Sequence, residues 1–175
     1  MLSRKTQIHK LLSIKFMLEE VNIKDLNANC MRFGIVASKF NDEYVNSMLD
    51  AALNVLQKAN ANCMEVIRVP GAYEIPVVVG HLIGKKASLF DAVICLGVIL
   101  RGETTHAKHI AEAVSLSLAK AQLTSDIPII NGVYLFENRE QAEKRCIDPD
   151  HNRGVELANT AIEMASLIKR IRSWE

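Results

Sequence analysis

Aromatic residues make up only 5% of the 175-residue chain, and it has four prolines and four cysteines. The cysteines, at positions 30, 63, 95 and 146, lie far apart and form no C-x-x-C pair, which argues against a disulfide framework and against a thiolate metal site. Most sit inside apolar stretches, where a thiol packs as a small hydrophobe, so a reducing compartment, the cytoplasm, is expected. Charge of one sign is missing too: 21 Lys plus Arg against 20 Asp plus Glu leave a net charge of +1. No general field therefore exists to hold nucleic acid or an anionic membrane surface. The longest apolar runs, such as Ala92 to Leu100, fall well short of the roughly 18 residues that a membrane-spanning helix needs. Internal repeats and low-complexity tracts are absent as well.

Apolar residues make up 49% of the chain, enough to bury one core. Residues 24–175 read as a single domain. Residues 1–23 carry Arg4, Lys5, Lys10 and Lys15 around Leu11, Leu12, Ile14 and Phe16, a superficial likeness to a targeting peptide. The apolar run is short and interrupted, and Glu19 and Glu20 follow it, so the segment reads as a flexible amphipathic extension. Met17 offers an alternative start.

Two periodicities then alternate along the chain. Arg32 to Ala37 is a short apolar run, and Asp42 to Ala59 carries Val45, Met48, Leu49, Ala52, Leu53 and Leu56 at helical spacing. Met64 to Val69 repeats the strand signal, Pro70-Gly71 breaks it, and Tyr73 to Gly84 has the length and apolar face of a helix, with Pro76 tolerable in its first turn. Asp91 to Val98 reads as a strand buried on both faces, and Thr104 or Thr105 as the N-cap of a helix to about Ala121. Pro128 to Leu135 is the fourth strand, and Glu137 to Cys146 and Arg153 to Ile168 are closing helices around the loop 147–152. This order predicts a three-layer α/β/α sandwich on a four-stranded parallel sheet, with ligands outside the carboxyl ends of the strands.

The residues that follow each strand are therefore the candidates. Gly97 to His106 leads from a buried strand into a helix start, where unpaired N–H groups favour an anion, although an ordinary capped helix fits the residues equally well. No Walker loop or dinucleotide fingerprint is present. His106 stands where a group titrating near neutral pH moves protons; a plain surface histidine is the bland alternative. His109 lies three residues on, but two imidazoles without a nearby thiolate are weak grounds for a metal, and none is expected. Glu74 falls in a first helical turn, where a carboxylate favours the dipole and can also bind polyol hydroxyls. Phe40 and Asn41 follow the first strand and offer an aromatic face for stacking on a planar heterocycle, or simply a rim residue. Arg145 and Arg153 offer guanidinium groups suited to phosphate, though most arginines are only solvated.

Leu26-Asn27-Ala28, Phe33-Gly34-Ile35-Val36, Lys39-Phe40-Asn41, Val69 to Pro76, Arg101 to His106, Asn152-Arg153-Gly154 and Ala161 to Met164 together resemble the lumazine synthases, over residues 24 to 170. The resemblance implies a flavodoxin-like sandwich whose extra N-terminal strand joins a neighbouring subunit's sheet. It implies condensation of 5-amino-6-(D-ribitylamino)uracil with 3,4-dihydroxy-2-butanone 4-phosphate to 6,7-dimethyl-8-ribityllumazine, the penultimate step of riboflavin biosynthesis, without metal or organic cofactor. Phe40 and Asn41 would meet the uracil, and Ala72, Tyr73 and Glu74 would hold it and its ribityl chain. Val98, Ile99 and Leu100 would line the pocket, Glu103, Thr104 and Arg145 would hold the phosphate, and His106 would transfer protons. Asn131 stands where many relatives place an aromatic that reaches a neighbour's pocket, and Arg153 opens the family's last helix. Homo-oligomers built on pentamers are implied, with the small-molecule substrates as the other partners.

Some residues depart from the family pattern: Ala107, Lys108 and His109 replace an aromatic, an acidic and an aromatic residue, and Asp148, Pro149 and His151 occupy a loop that shell-forming members fill with glycines. Two rivals follow. One is the archaeal-type riboflavin synthase, against which the intact Gly102 to His106 signature argues. The other is a non-catalytic flavin- or lumazine-binding or shell-forming homologue.

Overall fold

The computed structural model describes residues 26–85 and 89–174, and its elements alternate as the periodicities predict. Strands β1 (Arg32–Ser38), β2 (Cys63–Val69), β3 (Ala92–Leu100) and β4 (Ile129–Phe136) form one parallel sheet in the order β2-β1-β3-β4. Helices α1 (Asp42–Lys58), α2 (Ile75–Lys85), α3 (His106–Thr124), α4 (Arg139–Cys146) and α5 (Arg153–Arg172) connect and close it. In the central strands, side chains alternate between two separate cores, as a pleated strand requires. Phe33, Ile35, Ile94 and Leu96 pack against Met48 and Leu56 of α1 and Ile162 of α5. Val36, Val93 and Cys95 pack on the opposite face against Ile75 and Val79 of α2 and Val114 and Leu118 of α3. Two cores on either side of one sheet make the expected three layers. Among the described residues no helix is long and apolar enough to cross a membrane.

Boundaries moved where hydrogen bonds the periodicity does not encode took over. The helix expected from Tyr73 begins instead as a 3₁₀ turn, Ala72–Glu74, with α2 following at Ile75. The Glu74 N–H donates to the Gly71 carbonyl at 3.3 Å, while its carboxylate Oε2 accepts the Gly71 N–H at 2.8 Å. That double tie tightens the first turn. Pro76 is the second residue of α2, where its missing N–H costs nothing. Strand β3 runs on to Leu100 because Val98, Ile99 and Leu100 pair with Tyr134, Leu135 and Phe136. Helix α4 starts at Arg139, two residues later than expected, since Asn138 caps it by accepting the Gln141 N–H at 2.9 Å. Helices α3 and α5 run further than expected, to Thr124 and Arg172.

Close approaches lock the α1 layer. A Cβ on Gly154 would lie 2.0 Å from the Met48 carbonyl oxygen, so α5 crosses α1 in direct backbone contact. Just before it, Asn152 caps α5 by accepting the Gly154 N–H at 2.8 Å and donates to the Ser47 Oγ at 3.2 Å and to the Cys146 carbonyl. The loop 147–152 is thereby tied to α1.

Leu26 to Ala28, expected as the entry to an added strand, have no regular secondary structure, although Ala28 is buried and donates its N–H to Ala59 O at 2.7 Å. The extension 1–23 and the residues just after it lie outside the described residues.

Candidate active site

At the carboxyl end of the sheet, the segments leaving β1, β2 and β3 turn toward one another. They enclose, with one face of α3, a cavity of about 680 Å³. This is the end where parallel sheets bind ligands.

Three short segments supply most of its wall. After β1, Lys39 and Phe40 donate their N–H groups to the carbonyls of Val69 and Pro70, at 2.8 and 3.1 Å, so the two strand exits run together. Phe40 projects at the rim and is 69% exposed. Asn41 takes the left-handed backbone conformation, with φ 55°, and its side-chain amide donates to the Val98 carbonyl at 2.8 Å. After β2, Ala72, Tyr73 and Glu74 enter the lining, with Tyr73 largely exposed and Ala72 buried. From β3 come Val98 and Ile99. The chemistry of the wall is thus mostly apolar, interrupted by one amide, one carboxylate, the Tyr73 phenol and the histidines of α3.

His106, the first residue of α3, lines the cavity and is exposed. Thr105 occupies the N-cap position without a side-chain cap bond, and the hydroxyl of Thr104 instead accepts the His106 N–H at 3.4 Å. The first turn of α3 contains no acidic residue, leaving its positive end uncompensated. His109, Ile110 and Ala113 continue the same wall. These three were missed as lining residues. Their spacing from His106, at i, i+3, i+4 and i+7, was visible in the sequence, but which face of α3 meets the cavity depends on how the helix docks.

The structure therefore brings Phe40, Asn41, Ala72, Tyr73, Glu74, Val98, Ile99 and His106 onto one cavity. Leu100 ends β3 and packs toward the α1 layer, and Glu103 and Thr104 are exposed in the loop before α3; none of the three is in the lining. Asn131 is exposed on β4, its Oδ1 accepting the Val133 N–H at 3.0 Å. Arg145 is exposed in the last turn of α4, and Arg153 opens α5 and pairs with Glu156. Burial pushes the Tyr134 hydroxyl up to about 12, and Arg153 and Arg145 act against that rise. Helices α4 and α5 pack on the layer opposite α3, so Arg145 and Arg153 do not line this chain's own cavity; Asn131 shares the α3 face of β4 with Ile129 and Val133 but lies outside the lining. Among the described residues no group of three or more His, Cys, Asp or Glu side chains could hold a metal ion.

A mostly apolar cleft with a few convergent polar groups, opening where parallel strands end, defines an α/β enzyme acting on a small molecule. A family model described as 6,7-dimethyl-8-ribityllumazine synthase matches residues 30–169. Proteins of that name from two strains of Clostridium kluyveri are each 40% identical over 151 residues, covering 83% of this chain and 95% of theirs. The chain belongs to the 6,7-dimethyl-8-ribityllumazine synthase family, and with it to the transferases of riboflavin biosynthesis.

Proposed function

We propose that the cavity condenses 5-amino-6-(D-ribitylamino)uracil with 3,4-dihydroxy-2-butanone 4-phosphate, giving 6,7-dimethyl-8-ribityllumazine with loss of phosphate and two waters. The observation that carries this reading is the convergence of Phe40, Glu74 and His106, from three separate segments, on one mostly apolar cleft. Phe40 stacks on the uracil, and Asn41 flanks it. Ala72, Tyr73 and Glu74 hold the ring and its ribityl chain, the free oxygen of Glu74 accepting hydroxyls while the other is held by Gly71. Val98 and Ile99 form the apolar backing, and Leu100, packed toward the α1 layer, stands outside it.

The pyrimidine's amine attacks the ketone and a first water leaves as the imine forms; phosphate is eliminated, the resulting enol tautomerises to a carbonyl, and the ribityl-bearing nitrogen adds to that carbonyl and closes the ring with loss of a second water. His106 moves protons in these steps, at the solvent-open start of α3. The backbone N–H groups of Glu103 and Thr104, in the loop before α3, and the guanidinium of Arg145 hold the phosphate. Because Arg145 lies off this chain's own cavity, its place in this reading is the cavity of an adjacent copy, with Arg153 on the same layer. The exposed Phe40 and Tyr73 at the mouth suit a cover of that kind. A homopentamer, acting in the cytoplasm without metal or organic cofactor, is the assembly this reading requires.

The test is to mix purified protein with both substrates and follow lumazine absorbance together with phosphate release. Equal yields of the two products are expected. An intact oligomer that binds lumazine and makes none would establish the non-catalytic binding or shell-forming homologue instead.

A further inference from the structure

Phe40 and Glu74, the stacking ring and the polyol-binding carboxylate of the reading above, come from different loops yet meet at one backbone point. Gly71 separates them. A Cβ there would lie 2.9 Å from Glu74 Oε2 and 3.1 Å from the Phe40 ring. Its N–H also holds that same carboxylate oxygen at 2.8 Å. Asn41 secures the other side. Beyond the last β1–β3 pair, Ala37 with Leu96, its side-chain amide donates to the Val98 carbonyl at 2.8 Å and so carries the attachment of β1 to β3 past the end of the sheet. Its backbone, at φ 55°, turns the chain from the rim into α1, and its carbonyl accepts the N–H groups of Tyr44 and Val45 at 3.1 and 3.2 Å. Phe40 is thereby tied on both sides, to Pro70 through its own N–H and to β3 through its neighbour. A non-glycine residue held in the left-handed region at a ligand-binding rim is where a positioning role is to be looked for.

We propose that Asn41 and Gly71 are positioning residues: Asn41 sets the plane of the Phe40 ring through the Val98 carbonyl, and Gly71 sets the gap between that ring and the Glu74 carboxylate. One N–H of the Asn41 amide is held by Val98, and through that bond Asn41 acts on the substrate by way of Phe40. The proposal rests on the reading of the cavity as the pyrimidine site.

Asn41→Gly keeps the left-handed backbone and removes only the amide. It is expected to raise KM for the ribitylated pyrimidine about tenfold, with kcat and the KM for the ketone phosphate within about threefold of wild type. In a Phe40→Ala background the same change should add less than about twofold, because two residues acting through one contact do not add. Gly71→Ala should raise the same KM, its effect shrinking when Phe40→Ala or Glu74→Gln is already present. Should Gly71→Ala fail to assemble, the Asn41→Gly cycle decides alone. Effects of Asn41→Gly and Phe40→Ala that simply multiply, or a lower melting temperature with unchanged KM, overturn the proposal. Wild-type protein that neither binds the pyrimidine nor makes lumazine overturns the reading of the cavity itself, whereas an active wild type with multiplying effects overturns only the clamp.

Discussion

His106 stands at the start of α3 beside the cavity, and in the proposed reaction the proton transfer assigned to it is only part of what the cleft supplies. Holding two reactants in one geometry can be worth effective molarities of about 10⁵ M or more, and general acid–base catalysis typically contributes about 10²–10⁴. His106→Ala is therefore expected to lower kcat about a hundredfold while leaving lumazine formation measurable in steady-state assays. Complete loss of turnover in a correctly assembled variant would refute this division of labour.

Two buried thiols set a different property of single residues. Burial pushes Cys95 and Cys146 from an ordinary 9.0 up to about 12. In the unfolded chain these thiols ionise first, so the native state holds more protons between those values. The stability they contribute is complete below pH 9.0 and is lost as pH rises toward about 12. Denaturant midpoints should fall over that alkaline range, and Cys95→Ala should flatten the fall relative to its own value at neutral pH. A profile with the same slope in the variant would remove Cys95 from the account. Ser38, buried at the end of β1 with no partner for its hydroxyl among the described residues, gives a second single-residue test. Removing an unpaired buried hydroxyl relieves a desolvation penalty of about 1–3 kcal/mol, so Ser38→Ala should melt no lower than wild type.

Among the elements, the α1–α5 crossing is the least forgiving contact. A Gly154→Ala methyl would meet the Met48 carbonyl, part of the backbone of α1, so the two helices must separate. The expected cost is at least about 1–3 kcal/mol, read as a shifted denaturation midpoint; an unchanged midpoint would contradict the crossing. That contact was not legible in the sequence, where Asn152-Arg153-Gly154 stood out only as a family motif. The elements themselves were legible, because period-2 and period-3.6 patterns report local geometry. Their ends were less so: Glu74 turned the start of α2 into a 3₁₀ turn, and the Asn138 cap set the start of α4. In the site, Phe40, Glu74 and His106 could be found because each follows a strand. His109, Ile110 and Ala113 could not, since the docking of α3 decides which of its faces meets the cavity. The same holds for Arg145, whose separation from the cavity follows from which layer α4 joins.

For the whole molecule, that separation makes a sharp prediction. If each cavity borrows a guanidinium from a neighbouring copy, His106→Ala and Arg145→Ala chains are each impaired alone. Unfolded together and reassembled, they should form some cavities with both groups intact, and phosphate release should exceed the sum of the separate variants. Light scattering on the same samples would report the particle size. No gain in mixed oligomers of the expected size would place Arg145 outside the site.

All three strand exits that build the cleft lie at one end of the sheet, while the turns 60–62 and 125–128, which lead into β2 and β4, lie at the other. The cleft thus opens at one rim alone. Dyes or affinity tags attached at the far rim sit a strand's length from it, so lumazine formation by labelled protein is expected to match that of unlabelled protein.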